Sequence, residues 1–459
     1  MKKLLVISQL LVISFSVFAD YENYNGKDVS NRVYDSGSSD FPLSLKYSTW
    51  VGANLSNSRF GTAGSSSSHN VDLTGADFTN ANLTGVRFGY DSVFAHDPWV
   101  RLTDAIFTNS NISNVTFYAS TYFGFTKEQL YSTANYKNKN LSGVKFLGCD
   151  LSGWDFSNQD LSSVIFDGAG IELTDTNFTD AIVSGTHFSG GFTLEQLYST
   201  KSYKDKNLMG IYFDSVGIVD CDLTGQNLMH VVFKNSAFSR SNFTNADLRD
   251  VTWSITSKEI YVIKNTIWTD GEIKNFAMES VDDNLTIRKY VPTTTSGAMI
   301  SAKIANDATL SGGAKLTLEQ GAFLEVTNGK TLTVTSDGLI QIDTDLSGST
   351  IFNVNSNSGL VFEDGAVLTV NIIDDIITSD AYTIAVISFE DDSLIAGLNN
   401  FIKDETLFLT VNGEKFNGAW DYTVKGNELS ISINVPEPAT YAAIFGALAL
   451  AFAAYRRRK

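Results

Sequence analysis

The most regular stretch of this chain reads LMGIYFDSVGIVDCDLTGQNLMHVVFKNSAFSRSNFTNADLRDVTW and covers residues 208–253. A large apolar residue stands at every fifth position, often with a small residue two places before it. A period of five fits neither an α-helix, which repeats every 3.6 residues, nor a strand, which repeats every two. It predicts a square coil whose sides are five residues long, with the apolar and the small residue pointing inward. The apolar positions are Leu208, Phe213, Ile218, Leu223, Leu228, Phe233, Phe238, Phe243, Leu248 and Trp253.

The same spacing continues upstream, to about residue 50. It appears at Leu73, Phe78, Leu83 and Phe88, at Leu102, Phe107, Ile112 and Phe117, from Leu141 to Phe166, and after a two-residue slip at Leu173, Phe178, Val183 and Phe188. With units such as Ala76-Asp77-Phe78-Thr79-Asn80, the pattern resembles the pentapeptide-repeat family. What the resemblance implies is a right-handed quadrilateral β-helix over residues 50–253, of seven or eight coils. Trp154 departs from it, because it is too large for the small inward position.

Two insertions interrupt this repeat and resemble each other. They begin at Phe125 and Phe192, and 15 of the 22 positions counted from each phenylalanine match. In both, a threonine and a glutamine three residues later form a capping box, a pattern that begins a helix. We expect short helices near residues 126–134 and 193–201. They are either docking helices that project from the coil or decoration inherited from an internal duplication.

A second repeat occupies residues 301–372. Apolar residues recur every eight positions from Leu318 to Ile342 and again from Val354 to Val370, each with another apolar residue two before it. Residues two apart share one face of a strand, and the Gly, Asn, Asp and Ser between them supply turns. The pattern predicts a second β-solenoid, loosely similar to the passenger regions of autotransporter-type surface proteins.

The repeats divide the chain into consecutive regions of an all-β protein. Strands in the last region would close the open end of the second solenoid. The expected regions are an N-terminal segment at 20–49, the β-helix at 50–253, a connecting segment at 254–300, the solenoid at 301–372 and the closing β region at 373–434.

The chain begins like a secretory signal peptide. Lys2 and Lys3 precede an apolar stretch from Leu4 to Val17, and a small-residue cleavage pattern ends at Ala19. This layout predicts Sec-type export with cleavage after Ala19, so residues 1–19 are set apart from the fold.

The other end carries three features in a fixed order. Val435-Pro436-Glu437-Pro438 comes first, the apolar stretch Ala439 to Tyr455 follows, and Arg456-Arg457-Arg458-Lys459 ends the chain. A helix over the apolar stretch spans roughly 25 Å at about 1.5 Å per residue, just enough for a bilayer core. The terminal cations would keep that end on the cytoplasmic side.

This tail resembles the PEP-CTERM sorting signal. What the resemblance implies is processing near Pro436-Glu437-Pro438 by an exosortase-type membrane enzyme in a Gram-negative-type bacterium, for a protein that accompanies exopolysaccharide. The precursor would be anchored in the inner membrane by a transmembrane helix before it reaches the cell surface or extracellular matrix. The alternative is a plain tail anchor.

The charge of the chain limits its partners. The net charge is −18, and setting the two ends aside removes six cations and one acid, which leaves the exported body at about −23. Such an excess of carboxylates keeps an extracellular protein soluble and argues against nucleic acid or anionic lipid as a ligand.

The two cysteines, Cys149 and Cys221, each stand two places before an inward leucine. Eleven repeat sites separate them, which is nearly three coils, or ~13 Å at about 4.8 Å per coil. A disulfide needs Cα atoms within about 7 Å. We therefore expect two buried thiols.

The sequence contains no catalytic constellation. His187 and His230 occupy outward positions, and none of the four histidines has zinc-type spacing. Asp374-Asp375 and Asp391-Asp392 suggest the acid pair of a glycosidase, but adjacent strand residues point to opposite faces. Asp343-Thr344-Asp345 lacks the further oxygen ligands of a calcium loop. We predict no catalytic, cofactor-binding or metal-binding residue.

These observations favour an exported, non-enzymatic structural or interaction protein of the cell surface or biofilm matrix. Its expected partners are the export machinery, the exosortase-type enzyme, and exopolysaccharide or other surface proteins. A polysaccharide-acting β-helix enzyme is one alternative. Another is an acidic DNA mimic that inhibits a DNA topoisomerase, as some pentapeptide-repeat proteins do, although export would separate it from that target.

Overall fold

The computed structural model describes residues 22–34, 43–61, 70–89, 100–255, 262–293, 298–327, 329–346, 348–373, 381–390, 395–398, 401–425 and 427–434. They fall into two compact units. Unit 1 contains the described residues of the ranges Met1–Cys221, Val231–Ser239 and Thr252–Glu259. Unit 2 contains those of the ranges Asp222–His230, Arg240–Val251 and Ile260–Lys459.

Unit 1 is a stack of coils joined by parallel pairing. Its main sheet runs in the order β1 (Val33–Tyr34), β3 (Arg59–Phe60), β5 (Arg87–Phe88), β7 (Thr116–Tyr118), β8 (Lys145–Leu147), β9 (Ile165–Asp167), β10 (His187–Ser189), β11 (Tyr212–Asp214) and β13 (Val232–Ser239), with β12 (Gly217–Val219) and β14 (Thr252–Ile255) both paired to β13. A second sheet contains β2 (Leu43–Ser44), β4 (Val71–Asp72) and β6 (Val100–Arg101).

A column of aromatic side chains runs through the main sheet. Phe146 pairs in register with Phe166, and Phe166 with Phe188. Their rings stack at centroid distances of 5.7 and 5.4 Å, and all three are fully buried. Stacked aromatic pairs contribute about 0.5–1.5 kcal/mol each beyond the area they bury. The inward register predicted for the fivefold apolar residues is confirmed where their side chains are described, with Trp253 only partly buried.

Each five-residue side obeys one set of local rules, which Ala81 to Gly85 illustrate. Ala81 and Leu83 are buried. The Asn82 side chain lies between them on the outside, and its Oδ1 accepts a hydrogen bond from the Thr84 backbone N–H at 3.2 Å, as in an Asx turn. Gly85 then adopts φ +69°, a left-handed conformation that Gly, Asn and Asp reach at least cost. These rules explain why Asn, Asp and Gly recur at fixed places in the repeat.

The coils of unit 1 have four sides, as the period of five predicts. Four pairings about five residues apart join one coil to the next, for example Asp150 with Glu172, Asp155 with Asn177, Asp160 with Ile182 and Phe166 with Phe188. From Phe60 to Trp253 the aromatic column advances through eight coil-to-coil steps. This agrees with the seven or eight coils expected.

The predicted helices are present in unit 1. They form two short helix pairs, α1 (Lys127–Ser132) with α2 (Ala134–Lys137), and α3 (Leu194–Ser199) with α4 (Lys201–Lys204). A 3₁₀ helix at Ser120–Phe123 precedes the first pair.

Unit 2 contains the second predicted solenoid, and its coils have three sides. Leu316 pairs with Ile340, Leu324 with Phe352, and Leu332 with Leu360, each in a different parallel sheet. Three sides of eight residues therefore account for the eight-residue spacing. Along each strand, buried residues alternate with outward ones.

The strands of unit 2 form four sheets. A hairpin pairs β15 (Thr266–Ile267) with β16 (Ile273–Lys274). One face of the solenoid contains β17 (Leu285–Ile287), β20 (Lys315–Leu318), β23 (Leu339–Thr344), β26 (Val367–Ile372), β29 (Leu407–Val411) and β30 (Glu414–Lys415). The second contains β18 (Ala302–Ile304), β21 (Phe323–Val326), β24 (Ile351–Val354), β27 (Ala381–Phe389), β32 (Glu428–Asn434) and β31 (Ala419–Lys425), and the third β19 (Ala308–Leu310), β22 (Thr331–Val334), β25 (Gly359–Phe362) and β28 (Ile395–Ala396).

The region boundaries differ from those expected. Parallel pairing in unit 1 begins at Asn23, which bridges to Thr49, so the coil starts before residue 50. In unit 2, β17 already belongs to the three-sided solenoid, which thus begins before residue 301. Stacking also continues beyond 372, because β29 pairs in parallel with β26. Among the described residues, the antiparallel strands β30, β31 and β32 then follow the last parallel coil.

Candidate interaction surface

The first helix pair is docked on the coil beneath it. Thr126 and Gln129 form the predicted capping box. The Gln129 side-chain Nε2 then donates hydrogen bonds to the backbone carbonyls of Leu102 at 2.8 Å and Ala105 at 2.7 Å. Leu130 is fully buried. One glutamine therefore caps its own helix and satisfies two carbonyls of the neighbouring coil.

The second helix pair repeats this arrangement. Gln196 completes the capping box with Thr193, and its Nε2 donates to the carbonyls of Leu173 at 2.8 Å and Thr176 at 3.0 Å. Leu197 is buried. In both copies the helix packs on the coil and does not project from it, because its leucine is buried and its glutamine bonds to coil carbonyls. A role of these helices in docking stays a hypothesis.

A cavity of about 350 Å³ opens beside the first helix pair. Its wall combines one exposed aromatic ring, two carboxylates, one ammonium and several hydroxyls. The lining residues are Thr121, Tyr122, Phe125, Thr126, Lys127, Glu128, Asp150, Ser152 and Trp154.

Hydrogen bonds fix two sides of this cavity. The Tyr122 hydroxyl donates to the Gly170 carbonyl at 3.2 Å, while 59 % of the residue remains exposed. The Asp150 backbone N–H donates to Thr121 Oγ1 at 2.9 Å. Hydrogen bonds from the Ser152 side chain and backbone hold the pKa of Asp150 below its usual value, so this carboxyl is ionised at neutral pH.

Trp154 forms the floor of the cavity. It occupies the inward slot where the repeat places a small residue, yet only 7 % of it is exposed. Its ring packs at 5.9 Å from Phe125 and 6.3 Å from Phe156. Phe125, which packs against the indole, stands directly between the 3₁₀ helix and the first helix pair.

Unit 2 contains a buried ion pair. The Arg249 guanidinium donates to both carboxylate oxygens of Asp247, at 3.0 and 2.7 Å, and neither side chain is exposed. It also donates to the carbonyls of Arg288 at 2.7 Å and Ile300 at 2.9 Å. This one side chain ties together segments distant in sequence, within a low-dielectric interior where unpaired charge is costly.

Charged side chains stand near this ion pair on the outer face of the solenoid. Glu319 lies 4.0 Å from Arg288 Nε, and because Leu318 pairs with Ile342, Glu319 and Asp343 are neighbours in adjacent coils. Partial burial raises the pKa of Glu319, and the negative charge of Asp343 raises it further against the opposing effect of Arg288. Asp343 Oδ1 accepts hydrogen bonds from Gln341 and Asn371 at 2.6 and 2.9 Å.

The histidines are less solvated than expected. The His187 ring packs 4.2 Å from Tyr212, and burial lowers its pKa. The His230 side chain is only 11 % exposed, with hydrogen bonds to Asp250 at 2.9 Å and to the Val291 carbonyl at 2.7 Å. Both histidines occupy outward positions, and neighbouring groups partly cover their rings.

Within the described ranges, no group of three or more His, Cys, Asp or Glu side chains could hold a metal ion. Cys149 and Cys221 are both buried and form no disulfide, as predicted. The acid pairs Asp374-Asp375 and Asp391-Asp392 lie outside the described residues.

Both predicted sorting elements also lie outside the described residues: the cleavage site at Ala19, and the tail with Val435, Pro436, Glu437 and Pro438 and the basic cluster at 456–459. In the part of the chain that is described, no helix is long and apolar enough to cross a membrane.

Comparison with known proteins agrees with the repeat pattern. The family model for pentapeptide repeats matches eight copies, at residues 67–89, 140–169 and 218–252. No curated protein matches the chain.

Two solved structures are similar over about half of the chain. HetL, a pentapeptide repeat protein involved in heterocyst differentiation regulation in the cyanobacterium Nostoc sp. strain PCC 7120, is 14% identical, with 57% of this chain and 97% of HetL covered and a TM-score of 0.14. QnrB1, a plasmid-mediated fluoroquinolone resistance protein, is 16% identical, with 53% and 92% covered and a TM-score of 0.15. On the family match and its own fivefold register, the chain carries pentapeptide repeats folded as a β-solenoid.

Proposed function

We propose that this chain is an exported, non-enzymatic interaction protein that an exosortase-type system delivers to the cell surface or exopolysaccharide matrix of a Gram-negative-type bacterium. The observation that carries the proposal is the order of motif, apolar stretch and basic cluster at residues 435–459. The basic and apolar N-terminus that ends at Ala19 supports export of the same chain.

The two solenoids suit such a role. Stacked coils bury a continuous apolar core and leave the residues between the inward positions facing outward on a rigid backbone, so they present long polar surfaces to a partner. The excess of carboxylates over cations in the body keeps such a surface soluble outside the cell. Exopolysaccharide and other surface proteins are the proposed partners.

Cell fractionation tests the sorting step. We compare the full-length chain, a chain truncated before Val435, and a double variant with Pro436→Ala and Pro438→Ala that keeps the apolar stretch and basic cluster. The truncated chain should appear in the periplasm or medium, and the double variant should stay in the inner membrane as uncut precursor. If all three chains distribute alike, residues 435–459 are not a sorting signal. If the double variant is processed like the full-length chain, the tail is not read by an exosortase-type enzyme.

Polysaccharide cleavage is a second candidate function, favoured by Glu319 and Asp343. Retaining glycosidases use two carboxyl groups about 5–5.5 Å apart, one of them with a raised pKa as the acid, and adjacent coils lie about 4.8 Å apart. The raised pKa of Glu319 meets one of these requirements. Reducing-end release from neutral glucans, lost in Glu319→Gln and Asp343→Asn, would establish this activity. No release by the unaltered chain leaves the non-enzymatic proposal in place.

A further inference from the structure

The two insertions are duplicates, but the side chains that line the cavity beside the first helix pair are not repeated beside the second pair. With the 67-residue offset that aligns them, Lys127 corresponds to Leu194, Asp150 to Gly217, Ser152 to Val219 and Trp154 to Cys221. The 3₁₀ helix that carries Thr121 and Tyr122 is present only in the first copy. The helices that pack on the coil are therefore shared, whereas the polar and aromatic lining of the cavity belongs to one copy.

The cavity presents hydrogen-bond acceptors and donors side by side. The carboxylates of Asp150 and Glu128 accept, and the Lys127 ammonium donates. Among the described residues, no hydrogen bond or ion pair takes up the Lys127 ammonium or the Glu128 carboxylate. A ligand that meets this wall must offer both donors and acceptors at short spacing, as vicinal hydroxyl groups do.

An aromatic ring completes the wall. Tyr122 is held at its hydroxyl by Gly170 while most of the residue faces solvent, so the ring is fixed in orientation before any ligand arrives. The faces of aromatic rings carry negative partial charge and attract the weakly positive C–H groups of a sugar ring. The Trp154 indole adds a second aromatic surface at the floor.

Size and charge narrow the choice of ligand. A volume of about 350 Å³ lies near the lower end of the roughly 300–1,000 Å³ typical of small-ligand sites. The net negative charge of the chain disfavours polyanions. The two carboxylates and one ammonium of the lining leave a net charge of −1, which adds to the repulsion of anions. A neutral, hydroxyl-rich ligand satisfies all of these conditions.

We propose that this cavity binds one or two residues of a neutral polysaccharide. Tyr122 stacks on the sugar ring, Asp150 and Glu128 accept hydrogen bonds from its hydroxyls, and Lys127 donates to a ring or hydroxyl oxygen. This inference rests on the proposed function, because a matrix protein would meet such polymers outside the cell, and it names the chemical class of the partner.

Native affinity electrophoresis tests it directly. The full-length chain, in a zwitterionic detergent without a sugar headgroup, is run in gels that contain dextran, a mixed-linkage β-glucan, galactomannan or, as the anionic arm, alginate. We expect retardation by at least one neutral polymer. Tyr122→Ala should weaken that affinity about tenfold. Lys127→Leu, which recreates the second copy, should weaken it by about tenfold or more, as expected for loss of one hydrogen bond to a charged group.

The second copy supplies the matched control. Glu128→Gln should weaken binding, whereas Glu195→Gln, the same change on the duplicate helix, should leave it within about twofold of the unaltered chain. Because Tyr122, Glu128 and Glu195 are exposed, these variants should fold. Equal binding by Tyr122→Ala and the unaltered chain, or retardation by alginate alone, overturns the inference. So does the absence of retardation in every gel.

The outcomes separate the two proposals. A chain that reaches the cell surface in the fractionation experiment but is not retarded by any neutral polymer keeps the proposed function and loses this ligand. A chain that is retarded, with Tyr122 required, but is never exported keeps the binding site and loses the proposed localisation.

Discussion

Phe166→Ala tests the aromatic column of unit 1. Phe166 is fully buried, and four rings surround it at centroid distances of 5.4 to 5.8 Å, from Phe146, Phe156, Phe178 and Phe188. Buried Phe→Ala changes cost about 3–5 kcal/mol, more where the surroundings cannot collapse into the cavity. Parallel pairing holds the coils on both sides in register, so we expect a loss of about 4 kcal/mol in the free energy of unfolding.

Urea unfolding and amide hydrogen exchange measure this loss. Coils contact only their neighbours, so exchange should accelerate most in residues 140–192, while the more distant amides of Phe60 and Phe88 keep their protection. Ile182→Ala is the control, because Ile182 is 37 % exposed and should cost about 0.5 kcal/mol or less. A loss below about 1.5 kcal/mol for Phe166→Ala, or an equal loss in the control, would refute the buried register.

Three further predictions concern buried polar groups. The thiols of Cys149 and Cys221 should react with an alkylating reagent only after denaturation, because both are buried and burial raises the pKa of Cys149 to about 11; an intramolecular disulfide in the secreted protein would contradict this. The folded pKa of Glu319 is raised above its ordinary 4.5. The contribution of this residue to the free energy of unfolding should therefore be full below pH 4.5 and fall as the pH rises through the folded pKa. Urea titrations should show this loss in the unaltered chain and not in Glu319→Gln. Arg249→Met should lower the free energy of unfolding by about 3–5 kcal/mol, because it leaves Asp247 charged and buried. The double variant with Asp247→Asn should recover much of this loss. A single variant as stable as the unaltered chain would show that the pair is not coupled.

The periods of the sequence predicted most of the fold. A large apolar residue at every fifth position sets which residue of each side points inward. An Asn or Asp before it and a Ser or Thr after it form a local turn, as Asn82 and Thr84 do. Local interactions of this kind can be predicted from the sequence. The same is true of the capping boxes at Thr126 and Thr193, which were predicted and are present.

These patterns could not predict contacts between residues that are distant in the sequence. The repeat rule marked Trp154 only as an exception, since nothing local shows that its ring packs against Phe125, 29 residues earlier. That the second solenoid starts before residue 301 depends on pairings such as Leu285 with Leu316, which no short motif encodes.

The sequence by itself determined the two periods, the inward residues, the buried thiols and the turn residues, because each follows from spacing along one chain segment. Only the tertiary structure decided where the helix pairs lie, how Arg249 is satisfied by the carbonyls of Arg288 and Ile300, and that one insertion opens a cavity while its duplicate lacks the same lining. Those features depend on which coil stacks on which, and stacking joins residues that are twenty to fifty positions apart through hydrogen bonds whose partners share no sequence pattern.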